Sequence, residues 1–194
     1  EAQSFYRMFD TYLTQLDAMG AAIVVTTDHG MKPKHLKDGS PAVVYVQDLL
    51  DNWLGKDAAR VILPITDPYV VHHGALGSFA TAYLPAGTDQ ADIIARLRAT
   101  PGITLVIDRA EAVKRFELPA DRIGDIVMIS GENMTLGTSA HRHDLAALNE
   151  PLRSHGGLTE QEVPFIVNRV IDLPSQPVLR NFDAFFYATT AAAL

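Results

Sequence analysis

Two short stretches of the chain carry residues suited to a divalent cation. Asp28-His29-Gly30 sets a hard carboxylate oxygen beside an imidazole nitrogen. That donor pair suits Zn²⁺, and Mn²⁺ or Fe²⁺ also accept it. Neighbouring side chains on a strand point to opposite faces, so both reach one ion only past a strand end, where Gly30 lets the backbone turn. His155-Gly156-Gly157 is the second stretch, with two glycines that let the backbone pass close to a ligand or metal. Each alone also reads as an ordinary loop. Two in one chain, each near an expected strand end, point to a shared metal site.

Other groups carry weaker signals. His141-Arg142-His143-Asp144 reads either as an anion or acid/base cluster or as a charged loop held by local hydrogen bonds. The pair His72-His73 suggests a metal but also a simple turn before Gly74. Lys32, Lys34 and His35 follow the Asp-His-Gly turn, where they either face an anionic substrate or form a solvated loop. A serine nucleophile elbow, a phosphate-binding P-loop and a dinucleotide glycine motif are all absent from the sequence.

The elements that must position these residues follow from periodicity. In residues 4–19, Phe5, Met8, Phe9, Tyr12, Leu13 and Leu16 recur at steps of three and four, which predicts an amphipathic helix ending near Gly20. Residues 22–25 form an apolar β-branched run that reads as a buried parallel strand with Thr-Thr-Asp-His-Gly at its end. Helix, strand and polar strand end is the usual layout of an open α/β site. PAVVYVQ and RVILPI predict further strands, with a short helix capped by Gly55 between them. SFATAYLP, a helix over 89–99, and ITLVIDRAEAVKRF give a β-α-β-α unit. RIGDIVMIS returns to a buried strand, and 131–158 is a long polar, glycine-rich stretch of the kind that is often functional. A final strand is expected over 164–170. The fold class is α/β, divided into a core part over 1–67, an inserted α+β cap subdomain over 68–119, and a return to the core over 120–194.

Composition narrows the partners. At 194 residues, 47% apolar and 20% charged, the chain has the make-up of a soluble globular domain. A net charge of −7 argues against a general nucleic-acid binder, and no apolar stretch is long enough to cross a membrane. With no cysteine, any metal must be held by His, Asp or Glu. The opening residues lack a basic start followed by an apolar run, so no signal peptide is read there and the expected location is cytoplasmic.

Three segments carry a resemblance. VVTTDHGMKPKH over 24–35 is similar to the metal-binding strand end of the alkaline phosphatase superfamily. RIGDIVMISGENMTLG over 122–137 and HRHDLAALNEPLRSHGGLTE over 141–160 resemble one branch of it, phosphonoacetate hydrolase. The resemblance implies an alkaline-phosphatase-like sheet flanked by helices. It implies a two-zinc hydrolase that cleaves the carbon–phosphorus bond of phosphonoacetate to acetate and phosphate. By it, Asp28 and His29 match ligands of one zinc and His155 a ligand of the other. The family's nucleophilic Thr, remaining zinc ligands and substrate lysines match nothing here, and Thr26 and Thr27 do not take the nucleophile's place. The chain therefore reads as the C-terminal part of such an enzyme, inactive by itself, with a small phosphonate as partner and a homodimer left open. Two other readings compete: a phosphodiesterase or nucleotide pyrophosphatase of the same superfamily, and a non-catalytic fragment acting as a binding or folding module.

Overall fold

The computed structural model describes residues 1–64, 76–171 and 178–192. His72 and His73 lie outside the described residues. The chain divides into two compact units: a continuous one, Gly30–Gln161, and a discontinuous one made of Glu1–His29 and Glu162–Leu194. No helix among the described residues is long and apolar enough to cross a membrane.

The continuous unit is built on a four-stranded antiparallel sheet. Its strands are β4 (Arg60–Ile62), β5 (Phe79–Tyr83), β6 (Ile103–Asp108) and β7 (Ile126–Ser130), in the order β4-β5-β7-β6. The apolar run of β7 is buried at all five positions, as an unbroken run without alternation predicts for an inner strand. Opposite it, β5 offers Ala80 and Ala82, small enough for helices to approach. The first of these helices, α3 (Gln90–Arg98), starts where the Asp89 carboxylate accepts from the Ala91 and Asp92 amides, and it turns Ile93 and Leu97 into the core. In the same way Asp108 caps α4 (Arg109–Phe116) through the Glu111 amide at 2.8 Å. Gly124 packs against β5 so tightly that a Cβ there would stand 2.5 Å from the Ala82 carbonyl oxygen.

Beside this sheet, β3 (Val43–Tyr45) runs parallel to β8 (Thr135–Gly137), and α2 (Val46–Leu54) follows β3 directly. Val46 and Leu50 of α2 join the same core cluster as Leu97 and Met128. The Gln47 amide grips β4, donating to Ala59 O and accepting from Val61 N. A third pairing joins β2 (Lys32–Pro33) to β9 (Arg153–Ser154). Thus the polar stretch 131–158 contains two strands that pair with distant residues.

The sheet crosses the boundaries expected at 68 and 119. It takes β4 from before the first and β7 from after the second.

In the discontinuous unit, α1 (Ala2–Ala18) confirms the predicted helix, but none of its residues is buried; Phe5, Met8, Phe9, Tyr12 and Leu16 all lie exposed. The strand expected to be buried and parallel, β1 (Val24–Thr26), is half-buried and antiparallel to β10 (Phe165–Val167). Asn168 secures the pair, with its Oδ1 accepting from Ile23 N and its Nδ2 donating to Asp17 and to the Ala21 carbonyl. The tail, from which no element was expected, forms α5 (Asp183–Ala192), and Tyr187 on it meets Phe165 of β10 edge to face.

Candidate metal centre

The first candidate group lies in the discontinuous unit, just past the end of β1. Asp28 is exposed and His29 half-buried. The Asp28 carboxylate is held in one orientation: Oδ1 accepts from Thr27 Oγ1 at 3.1 Å and from His29 N at 3.0 Å. Oδ2 then faces His29 Nε2 at 3.7 Å. Two donors of one tetrahedral zinc, each about 2.0–2.1 Å from the ion, stand roughly 3.4 Å apart. The observed separation is a few tenths of an ångström longer than that. The Thr27 hydroxyl is the chief reason that the Asp28 carboxyl lies below its ordinary value; the His29 ring and amide add to the effect. That keeps it in the anionic form a metal needs. A hollow of about 250 Å³ opens beside it, lined by Thr26, Thr27, Asp28, Asn181, Phe182 and Phe185. The last three lie at 181–185, beyond the final strand expected from the sequence.

The second group lies in the continuous unit. His155 follows β9, which pairs with the strand β2 that comes just after the Asp-His-Gly turn, Lys32 opposite Ser154. The loop is fixed at several points. Ser154 Oγ donates to Leu76 O at 2.6 Å, and His155 O accepts from Ser78 N at 2.8 Å. Gly156 has φ +94°, a left-handed conformation that favours glycine. Gly157 is required for space, since a Cβ there would come 2.7 Å from Glu160 Oε2 and 3.1 Å from Ser78 Cβ.

Glu160, which carried no signal of its own in the sequence, is buried beneath this loop. Oε2 accepts from Gly157 N at 2.7 Å, and Oε1 from Thr159 Oγ1 at 2.6 Å and Lys34 Nζ at 3.1 Å. Lys34 is fully buried and donates also to Glu132 O at 2.6 Å. Burial by itself would raise the Glu160 carboxyl, but the bonds from Thr159, Lys34 and Gly157 outweigh it and hold Glu160 below its ordinary value. Lys34 is pulled down, chiefly by burial, with Glu160 opposing. Lys34 is therefore neither a solvated cation nor a free partner for substrate. Its neighbour Lys32 pairs with Glu132 at 2.9 Å, and His35 Nδ1 donates to the Leu36 carbonyl.

In the 141–144 cluster, His143 is fixed in place by the fold. It is buried, its Nε2 accepts from Thr138 N at 3.0 Å, and its ring stacks on Tyr45. Since an amide can only donate, Nδ1 carries the proton of the neutral ring. Among the described residues of either unit, no three His, Asp or Glu side chains gather closely enough to hold a metal ion. The donor types fit zinc: a carboxylate and an imidazole side by side, and a second imidazole on a loop. Their number falls short of the three protein ligands usual in a catalytic site.

No protein-family model matches the chain. Among solved structures, human ectonucleotide pyrophosphatase/phosphodiesterase 5 matches 84% of this chain and 39% of its own, with a TM-score of 0.53 and 16% identity. That likeness concerns the fold alone, which is of the alkaline-phosphatase-like, mixed helix-and-sheet type. A far higher likeness is to phosphonoacetate hydrolase from Sinorhizobium meliloti 1021. Two structures of it, in complex with phosphonoacetate and with phosphonoformate, are each 77% identical over 98% of this chain, with TM-scores of 0.92 and 0.93. The chain thus resembles phosphonoacetate hydrolase along nearly its whole length, and it spans 46% of the length of those structures.

Proposed function

We propose that this chain is part of a phosphonoacetate hydrolase, a metal-dependent enzyme that cleaves the carbon–phosphorus bond of phosphonoacetate to give acetate and phosphate. One observation carries the proposal: 77% identity over 98% of the chain to a structure of that hydrolase in complex with phosphonoacetate. The shorter span and the exposed apolar stripe of α1 support reading the chain as one portion of a longer enzyme. The nucleophilic Thr and the remaining ligands are then supplied by the other portion.

In this reading Asp28 and His29 hold one zinc and His155 the other. Zinc, when bound, supplies positive charge for the phosphonate oxygens and lowers the pKa of a coordinated nucleophile. Thr27 and the His29 amide donate to Oδ1 of Asp28, so Oδ2, on the side of His29 Nε2, would be the oxygen offered to the ion. The hydrogen bonds at Leu76 and Ser78 fix the backbone from which His155 projects.

The test is zinc content and phosphate release from phosphonoacetate in the complete enzyme, with D28A and H155A beside the parent. Each substitution is expected to remove about one zinc equivalent and to lower turnover by at least a hundredfold, on the scale at which loss of one electrostatic stabiliser acts. A D28A enzyme that kept both zincs and its turnover would remove Asp28 from the assignment.

A further inference from the structure

We infer that Glu160 is a positioning residue for the metal loop: its buried carboxylate, acting through the Gly157 amide, sets the backbone that presents His155. The inference rests on the reading of His155 as a zinc ligand.

Glu160 is bonded at both of its ends. Its carboxylate takes Gly157 N, Thr159 Oγ1 and Lys34 Nζ, and its carbonyl takes Gly30 N at 2.8 Å. Gly157 is the last residue of the His-Gly-Gly turn, and Gly30 is the residue directly after His29. One side chain and one carbonyl thus tie two backbone segments next to candidate ligands, both within the continuous unit. A ligand must be held to within about 0.5 Å of its productive place, and charge-assisted bonds such as carboxylate to amide are short and directional. Stability alone gives little reason for this arrangement, since a buried ion pair is often replaceable by an apolar pair of similar size at no loss. Gly157 adds a steric argument. Any side chain at that position would be driven against Glu160 Oε2, so turn and carboxylate are fitted to each other.

The test uses the complete enzyme and three variants: K34M/E160L, K34M/E160Q and H155A. The first removes the ion pair together with the acceptor for Gly157 N. The second removes the charges but keeps a side-chain oxygen that can accept from Gly157 N. Zinc affinity is read by competition with a chromogenic chelator, and the melting midpoint is recorded for each. H155A is expected to lose one zinc. K34M/E160L leaves the buried Gly157 amide without its acceptor, so it is expected to melt roughly 2–12 °C below the parent and to bind that zinc about tenfold or more weakly, the lower end of the effect of an outer hydrogen-bond partner. K34M/E160Q is expected to stay within about threefold of the parent, well short of that loss. If K34M/E160L binds like the parent, or both doubles lose affinity alike, Glu160 does not act through Gly157. If H155A keeps both zincs, the assignment of His155 falls, and the positioning role falls with it.

Discussion

Replacing Lys34 alone, as K34M, isolates the buried charge of Glu160. Lys34 Nζ donates 2.6 Å to Glu132 O and 3.1 Å to Glu160 Oε1, with neither side chain reached by solvent to more than 1%. Without it, Glu160 keeps two neutral donors, Thr159 Oγ1 and Gly157 N, but no counter-charge. Breaking a buried pair in this way costs about 3–5 kcal/mol. For a chain of this size each kcal/mol moves the melting midpoint by about 2–4 °C, so K34M is expected to melt roughly 10 °C below the parent at neutral pH. The pH dependence sharpens the test. Glu160 lies below its ordinary value in the fold, so its contribution is present above the ordinary carboxylate range. It is lost as pH falls through the lowered folded value. In K34M the ionised carboxylate is no longer favoured, and a proton relieves the unpaired charge. The gap between K34M and the parent should therefore begin to narrow above the ordinary carboxylate value of about 4.3 and go on narrowing as pH falls through the lowered value of the parent. Circular dichroism melts between about pH 3 and pH 8, which span the ordinary carboxylate range, decide the matter. A K34M protein within about 3 °C of the parent at neutral pH, or a gap that widens in acid, would refute the argument.

Two further outcomes probe the frame around the site, beyond the metal and positioning tests already described. D89A removes the acceptor for the Ala91 and Asp92 amides at the start of α3 and is expected to cost about 1 kcal/mol in chemical denaturation, with the m-value unchanged. G124A forces a Cβ against the Ala82 carbonyl and is expected to cost about 1–3 kcal/mol or more; a denaturation midpoint equal to the parent's would show that the β5 backbone can move aside.

Much of the frame was legible in the sequence because local chemistry declared it. Gly55 and the start of the helix at 89 could be placed because helix ends depend on near neighbours, and the structure adds Asp89 and Asp108 as caps. The unbroken run of β7 announced a strand buried throughout. The two candidate loops stood out for a similar reason, since possible donors and glycines stand side by side there. The direction of β1 was not, because its partner β10 is far away in sequence and an apolar run does not say which way its neighbour runs. Glu160 was passed over because a carboxylate in a polar, glycine-rich stretch resembles a solvated one. Its burial is created by Lys34, 126 positions earlier. The tail was unreadable because alanine and threonine carry little periodic signal, although Asp183 ahead of Phe185 and Phe186 is an ordinary helix start.

The bond between Gly30 N and Glu160 O joins the two ends of the continuous unit, and this shapes how the chain comes together in time. Ile23 and Asn168, which flank the β1–β10 ladder, are 145 positions apart. Bringing them together in an otherwise unfolded chain is slow and entropically unfavourable. Once residues 30–161 have folded, their ends already meet, and the loop between β1 and β10 is effectively only a few residues long. By the logarithmic dependence of closure entropy on length, this removes about 3 kcal/mol from the search. Residues 30–161 therefore act as an intramolecular template, and strand β1, made before β10, waits for it until the polypeptide between them has closed its own ends.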